Sequence, residues 1–343
     1  MRYVKLGNSG LRVSEAALGT MTFGEDWGWG ASKAESQKMF THYAKAGGNF
    51  IDTANNYTDG SSERFLADFL AADRDHFVVA SKFTLSDNKS DLNFGGNHRK
   101  NMLRSLKASL ERLGTDHLDL LWLHMWDFTT PVEEVMRALD DVVRMGLVHY
   151  VGFSDSPAWV TAQAHTLAQL RGWSPLVAIQ LPYSLGSRHA ERAHFPMAET
   201  LGLSVTAWGL LAGGLLTNKY AQAGDTPTRY DANSFSERWQ NLAAAVTEIA
   251  QDINASPAQV AIRWCCQHKQ VIPILGARTL TQLEDNMGAL AVSLSEQHMN
   301  QLNDLSPIAY GFPVDFLSSE NVHGLIFGDE YEKLEHARPF PYH

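Results

Sequence analysis

Short apolar runs alternate with amphipathic stretches along most of the chain, and the two periods identify the elements. Runs ending in polar residues or glycine read as buried strands at 16–19 (AALG), 49–54 (NFIDTA), 77–82 (FVVASK) and 118–124 (LDLLWLH). The same reading applies to 149–154 (HYVGFS), 176–182 (LVAIQLP), 203–209 (LSVTAWG) and 271–277 (VIPILGA). Between them lie helical stripes. In 98–113, Leu103, Leu106, Leu110 and Leu113 follow the 3.6-residue period. Segment 131–145 places Pro131 at an expected first-turn position, followed by Glu133 and Glu134, where acids favour a helix start. Segments 33–46, 61–72, 157–171, 190–201, 257–268 and 279–290 complete the predicted helices.

Strands that alternate with helices imply parallel pairing and right-handed crossovers. Eight such units fit a closed (β/α)8 TIM barrel of the α/β class better than a doubly wound sheet. The opening RYVKLGNSGLRVSE holds two short strand patterns around Asn8, Ser9 and Gly10, a β-hairpin expected to cap the barrel's N-terminal end. One domain is expected over 1–343, with the barrel to about residue 305 and a tail over 306–343. The tail and the Gly/Pro/Tyr-rich stretch 217–235 fit no plain unit; such long loops are functional covers or disorder.

Several chemistries are excluded or disfavoured. A doubly wound dinucleotide fold would show GxGxxG after its first strand, and AALGTMTFGEDWGWG lacks it. In GLLAGGLLTNK the lysine is not followed by Ser or Thr as a Walker loop requires. A net charge of -10 argues against a nucleic-acid partner. No stretch approaches the ~18 apolar residues of a membrane span, and the first ten residues lack a secretory pattern, so the cytoplasm is the expected location. Cys265 and Cys266 are adjacent on a helical pattern and point in different directions, which suits buried thiols. No HExxH occurs, the His189 to His194 spacing is not that of a zinc helix, and no metal is expected.

Active sites of such barrels lie at the C-terminal ends of the strands. Those ends present Asp52 with Tyr57 in its loop, then Lys82, His124, Ser154 and Asp155, Gln180, Trp208 and Gly209, and finally Gly276 and Arg278. Singly, a strand-end lysine is a solvated terminus, a histidine a satisfied rim residue, and a loop tyrosine packing. Together on successive strand ends, they suit proton transfer to a developing alkoxide. A phenol titrates near ~10 in water. An ammonium at ~4 Å favours its phenolate by up to ~4 kcal/mol at an effective dielectric of ~20, while burial works against it. Asp52 would hold Lys82 charged, Lys82 would serve Tyr57, and His124 would orient the substrate oxygen. A hydride must come from a cofactor, since no side chain supplies one.

At these residues the sequence resembles the aldo-keto reductase superfamily. NFIDTANNY is similar to its second-strand signature, VVASK to its lysine strand, and SLKASLERLGTDHLDLLWLH to its helix-to-strand-four signature. The resemblance implies a catalytic tetrad of Asp52, Tyr57, Lys82 and His124 in a barrel that binds NADPH without a Rossmann domain, with NADH as a second possibility. It also implies cofactor contacts: Thr20 and Met21 beside the nicotinamide ribose, near Asp52; Ser154, Asp155 and Gln180 on the carboxamide; Trp208 stacked on the ring. Gly209, Leu211 and Gly213 would approach the pyrophosphate, with Lys219 adding charge, and Gly276, Ala277, Arg278, Gln282, Asp285 and Asn286 would hold the adenosine phosphate. Asp155 stands where the family usually has Asn, Trp208 where it commonly has Tyr, and Gln282 where many members have Arg. A carboxylate at 155 would favour the oxidised, positively charged nicotinamide, or else be protonated.

Trp27, Trp29 and Trp126 lie in loops at the same face and either line a substrate pocket or pack beneath the loops. The implied activity is reduction of an aldehyde or ketone, a small-molecule carbonyl substrate. Two rivals use the same barrel: a Schiff-base aldolase with Lys82 as nucleophile, and a regulatory protein of the potassium-channel β-subunit type.

Overall fold

The computed structural model describes residues 1–217 and 236–335. Eight parallel strands close into a barrel: β3 (Ala17–Gly19), β4 (Phe50–Asp52), β5 (Val78–Phe83), β6 (Leu118–Leu123), β7 (Val148–Ser154), β8 (Leu176–Pro182), β9 (Ser204–Trp208) and β10 (Val271–Gly276), with β10 pairing back onto β3. The antiparallel hairpin of β1 (Tyr3–Lys5) and β2 (Arg12–Ser14) precedes it. Leu6 and Val13 from the hairpin pack with Phe50, Val78, Leu120, Trp122, Val177 and Ile272, filling the barrel's lower interior as expected. Gly152 makes room for this filling, because a Cβ there would lie 2.4 Å from the Trp122 ring.

Helices cover the outside. α1 (Lys33–Lys45), α2 (Ser61–Leu70), α3 (Arg99–Leu113), α4 (Val132–Arg144), α5 (Ala158–Arg171) and α6 (His194–Leu201) each follow one strand. In α4, Val132, Val135, Met136, Leu139 and Val142 are buried, the i, i+3, i+4, i+7 stripe of a helix laid on a sheet. Pro131 is the residue before this helix rather than in its first turn: its ψ of 138° is extended.

The second departure lies after β9. The pattern anticipated one helix per strand, yet α7 (Glu237–Asp252) precedes α8 (Pro257–Cys265). Its buried Leu242, Ala245, Val246, Ile249 and Ala250 form a helical stripe of their own. α8 starts at a capping box, in which Ser256 and Gln259 satisfy each other's backbone amides and Pro257 takes the first turn. α9 (Leu280–Gly288) follows β10, and beyond it α10 (Glu296–Leu305), the short α11 (Val314–Leu317) and α12 (Glu320–Phe327) occupy a region with no anticipated element. Arg188, in the loop after β8, donates to the Ser306 carbonyl at 2.8 Å and ties the end of α10 to the barrel. Among the described residues, no helix is long and apolar enough to cross a membrane.

Candidate active site

Strand register builds the site. Asp52 pairs with Gly19 on one side and Ala80 on the other, and Lys82 stands two residues further along β5. Both side chains point into the barrel mouth and are buried, at 4% and 0% exposure. The Lys82 ammonium has three protons, and each has an acceptor: Asp52 Oδ2 at 2.6 Å, the Thr53 carbonyl at 2.8 Å and the Tyr57 hydroxyl at 2.9 Å. The other oxygen of Asp52 accepts from Gln180 Nε2 at 2.9 Å, across the barrel from β8.

Tyr57 opens a tight turn over residues 57–60 in which Thr58 and Asp59 take φ of 45° and 53°. Such left-handed backbone is uncommon outside glycine and asparagine. The turn is pinned by the Thr58 hydroxyl, which donates to the Phe23 carbonyl. Gly24 permits the approach: its φ is 124°, and a Cβ there would fall 2.6 Å from Thr58 Oγ1. His124 follows β6, buried, with its ring 6.1 Å from that of Tyr57 and edge-on to it. Its backbone amide donates to the Thr84 hydroxyl, which in turn donates to Asn97. His124 Nδ1 is buried with no partner among the described residues.

Burial dominates the electrostatics. It pushes the Tyr57 hydroxyl above its ordinary value despite the opposing Lys82 charge, so the phenol is protonated at neutral pH. The anticipated lowering by lysine is therefore outweighed in this state. Burial also acts to lower Lys82, but Asp52 and Tyr57 together overcome it and hold the ammonium above the usual lysine range. His124 falls to about 3, first from burial and then from the Lys82 charge, and is a neutral imidazole at every physiological pH. Asp155, with φ of 38°, rises to about 6 through burial, only partly offset by the Trp208 indole and by Lys82. Trp208 Nε1 donates to Asp155 Oδ1 at 3.3 Å.

The other anticipated residues sort by what their side chains touch. Thr20 is fully buried; its hydroxyl donates to the Asp52 carbonyl, so it fixes the strand end. Met21 beside it is half-buried, and Ser154 is buried at the end of β7. Trp208 and Gly209 are exposed at the end of β9, where Gly209 has φ of 72° and open space at its Cα. Leu211 packs against the core, and Gly213 has φ of 70° in the following turn. Gly276 is exposed at the end of β10 with open space around it, and Ala277 is buried. Gln282 accepts from the Arg278 amide at 2.9 Å, Asp285 from Gln259 at 3.0 Å, and Asn286 donates to the Gly276 carbonyl at 3.0 Å. These three side chains shape the loop from within. The Arg278 guanidinium has no ion-pair partner among the described residues. Lys219 lies outside the described residues.

Exposed glycine backbone at two neighbouring strand ends, a flat exposed indole and an unpaired guanidinium fit an anionic dinucleotide with a planar ring. Trp27 donates to Asp59 on the tyrosine turn at 3.2 Å, and its ring lies 5.7 Å from that of Trp29, which is 37% exposed. Trp126 instead stacks on Phe153 and packs against the core. Exposed Met125 and Phe128 stand in its loop, which the sequence pattern did not single out. Gln180 and Thr53 were likewise not anticipated as partners of Asp52 and Lys82; only barrel closure reveals them.

Residues 16–307 match the sequence pattern of the aldo/keto reductase family. The chain belongs to the aldo/keto reductase family. This family member is 36% identical over 324 residues to norsolorinic acid reductase A of Aspergillus parasiticus, covering 90% of this chain and 82% of that protein. It is 35% identical over 344 residues to the NADP(+) aryl-alcohol dehydrogenase of Phanerodontia chrysosporium, covering 93% and 87%. Aldo-keto reductase ausK of Emericella nidulans is 32% identical over 325 residues, covering 90% and 82%. As an aldo/keto reductase, the chain is an oxidoreductase of carbonyl compounds.

Proposed function

We propose that this aldo/keto reductase reduces an aryl aldehyde or ketone to the alcohol with NADPH, taking the proton from Tyr57. The observation that carries the reading is the Lys82 ammonium with all three protons directed, one of them at the tyrosine oxygen 2.9 Å away. NADPH, when bound, supplies the hydride; Trp208, Gly209, Gly276 and Arg278 would hold it. The neutral His124 ring offers an N–H to the carbonyl oxygen and orients it. As that oxygen gains charge, the Tyr57 hydroxyl transfers its proton and becomes a phenolate beside the ammonium. At 2.9 Å and an effective dielectric of ~20, the ammonium favours that phenolate by about 6 kcal/mol. This electrostatic help acts only after proton transfer, which is where it lowers the barrier. Asp52 and Gln180 keep the ammonium charged and in place.

NADPH over NADH is supported by Arg278 and by the cofactor in the name of the aryl-alcohol dehydrogenase relative. The aryl preference is supported by the name of the aryl-alcohol dehydrogenase relative and by exposed Trp29, Met125 and Phe128. The substrate is a small molecule, and we place the enzyme in the cytoplasm, where the two unpaired cysteines are at home. A Schiff-base aldolase requires a neutral, reachable amine, whereas Lys82 is fully buried and held charged. NADPH oxidation with 4-nitrobenzaldehyde, compared between wild type and Tyr57→Phe, tests the assignment. A loss of about 10²–10⁴-fold is expected; equal rates would remove Tyr57 from the mechanism.

A further inference from the structure

The other end of the barrel carries a second cluster with chemical capacity. His117 immediately precedes β6, Asp119 is its second residue, and His149 is the second residue of β7. Register pairs Leu118 with Val148 and Leu120 with Tyr150, which sets Asp119 beside His149. Strand alternation turns both outward, on the same side as Leu121 and Val151, but at the barrel end below the helical cover. One ligand atom from each of the three residues lies within 4.8 Å of the other two. The two imidazoles stack with centroids 4.6 Å apart.

We propose that His117, Asp119 and His149 form a binding site for a borderline divalent cation of the zinc type, structural rather than catalytic. Two imidazoles and a carboxylate are ligands such ions prefer, and unlike Ca²⁺ or Mg²⁺ they do not need an all-oxygen shell. Bonds of ~2.1 Å around a tetrahedral ion separate ligand atoms by about 3.4 Å. His149 Nδ1 and Asp119 Oδ1 already stand at 3.6 Å. The outer partners are in place. Asp119 Oδ2 accepts from the Val79 amide at 2.9 Å and pairs with Arg74 at 2.8 Å, which leaves Oδ1 facing His149. His117 Nδ1 contacts Asp116 Oδ1 at 2.7 Å, and donation to that carboxylate leaves Nε2 as the ligand atom. Arg74 pairs with Asp119, and the carboxylates of Asp116 and Asp119 together outweigh its single positive charge. Exposures of 20% and 48% at the two histidines leave the site open to entry, with a coordination position for water. Asp119 and His124 are five residue steps apart along β6, about 16 Å, so a cation here lies far from His124 and the barrel mouth. It would instead join the starts of β6 and β7.

The test is calorimetric titration of Zn²⁺ into the full chain in chelator-treated buffer. One equivalent should bind saturably, at least tenfold more weakly in His117→Ala and in His149→Ala, and unchanged in His189→Ala, an exposed histidine elsewhere. Co²⁺ absorption on the wild type needs no variant and should show a low-coordinate band rather than the aqueous spectrum. No saturable binding, equal affinity in all four proteins, or only the aqueous Co²⁺ spectrum would mean an adventitious ion only and overturn the site.

Discussion

Asp155→Asn should make the protein more stable at about pH 7.5 and leave it nearly unchanged at about pH 4. The wild-type carboxyl is raised from 3.8 to about 6 in the folded chain, chiefly by burial. A group raised in this way contributes stability that is fully present below 3.8 and is lost as pH rises through about 6. The full loss is about 3 kcal/mol above that window and about half a kcal/mol near its acid end. Asparagine keeps an acceptor for the Trp208 indole at the same place and removes the buried charge. Urea denaturation of both proteins at the two pH values isolates the difference, because every other titrating group is common to them. An equal difference at both pH values, or a less stable variant at pH 7.5, would refute the claim that burial raises this carboxyl. The same substitution should also weaken NADP⁺ relative to NADPH, since an ionised Asp155 would favour the positively charged ring.

Lys82→Met leaves the buried Asp52 carboxyl without its ion-pair partner, so the variant should lose about 3–5 kcal/mol of stability in thermal or urea unfolding. Its NADPH oxidation should fall at least as far as that of Tyr57→Phe. The His124 ring, lowered to about 3, should show constant imidazole NMR shifts between pH 5 and pH 8; a midpoint inside that range would contradict its assignment as a neutral donor. Arg278→Ala should weaken NADPH by roughly tenfold, about 1.4 kcal/mol, with a smaller effect on NADH, measured by quenching of tryptophan fluorescence.

Much of the fold was legible because two periods alternate cleanly and eight short apolar runs recur between the helical stripes. α7 escaped, although its apolar stripe is plain, because it breaks the expectation of one helix per strand. The clustering of the candidate residues was legible for a simple reason: a strand end fixes where Asp52, Lys82 and His124 must point once the sheet closes. Their partners were not. Gln180 is 128 residues from Asp52 in the chain, and only the barrel's circumference brings them together. His117 and His149 form no linear motif for the same reason. The net direction at Tyr57 was not legible because the nearby charge is written in the sequence, whereas the depth of burial opposing it is not.

The hairpin side chains of Leu6 and Val13 have a kinetic implication. With Trp122 they stopper the narrow end of the cylinder, so nothing traverses it. Two ligands that share the opposite mouth would therefore share one doorway, and the one seated further in would have to arrive first and depart last. Product-inhibition patterns record that sequence directly.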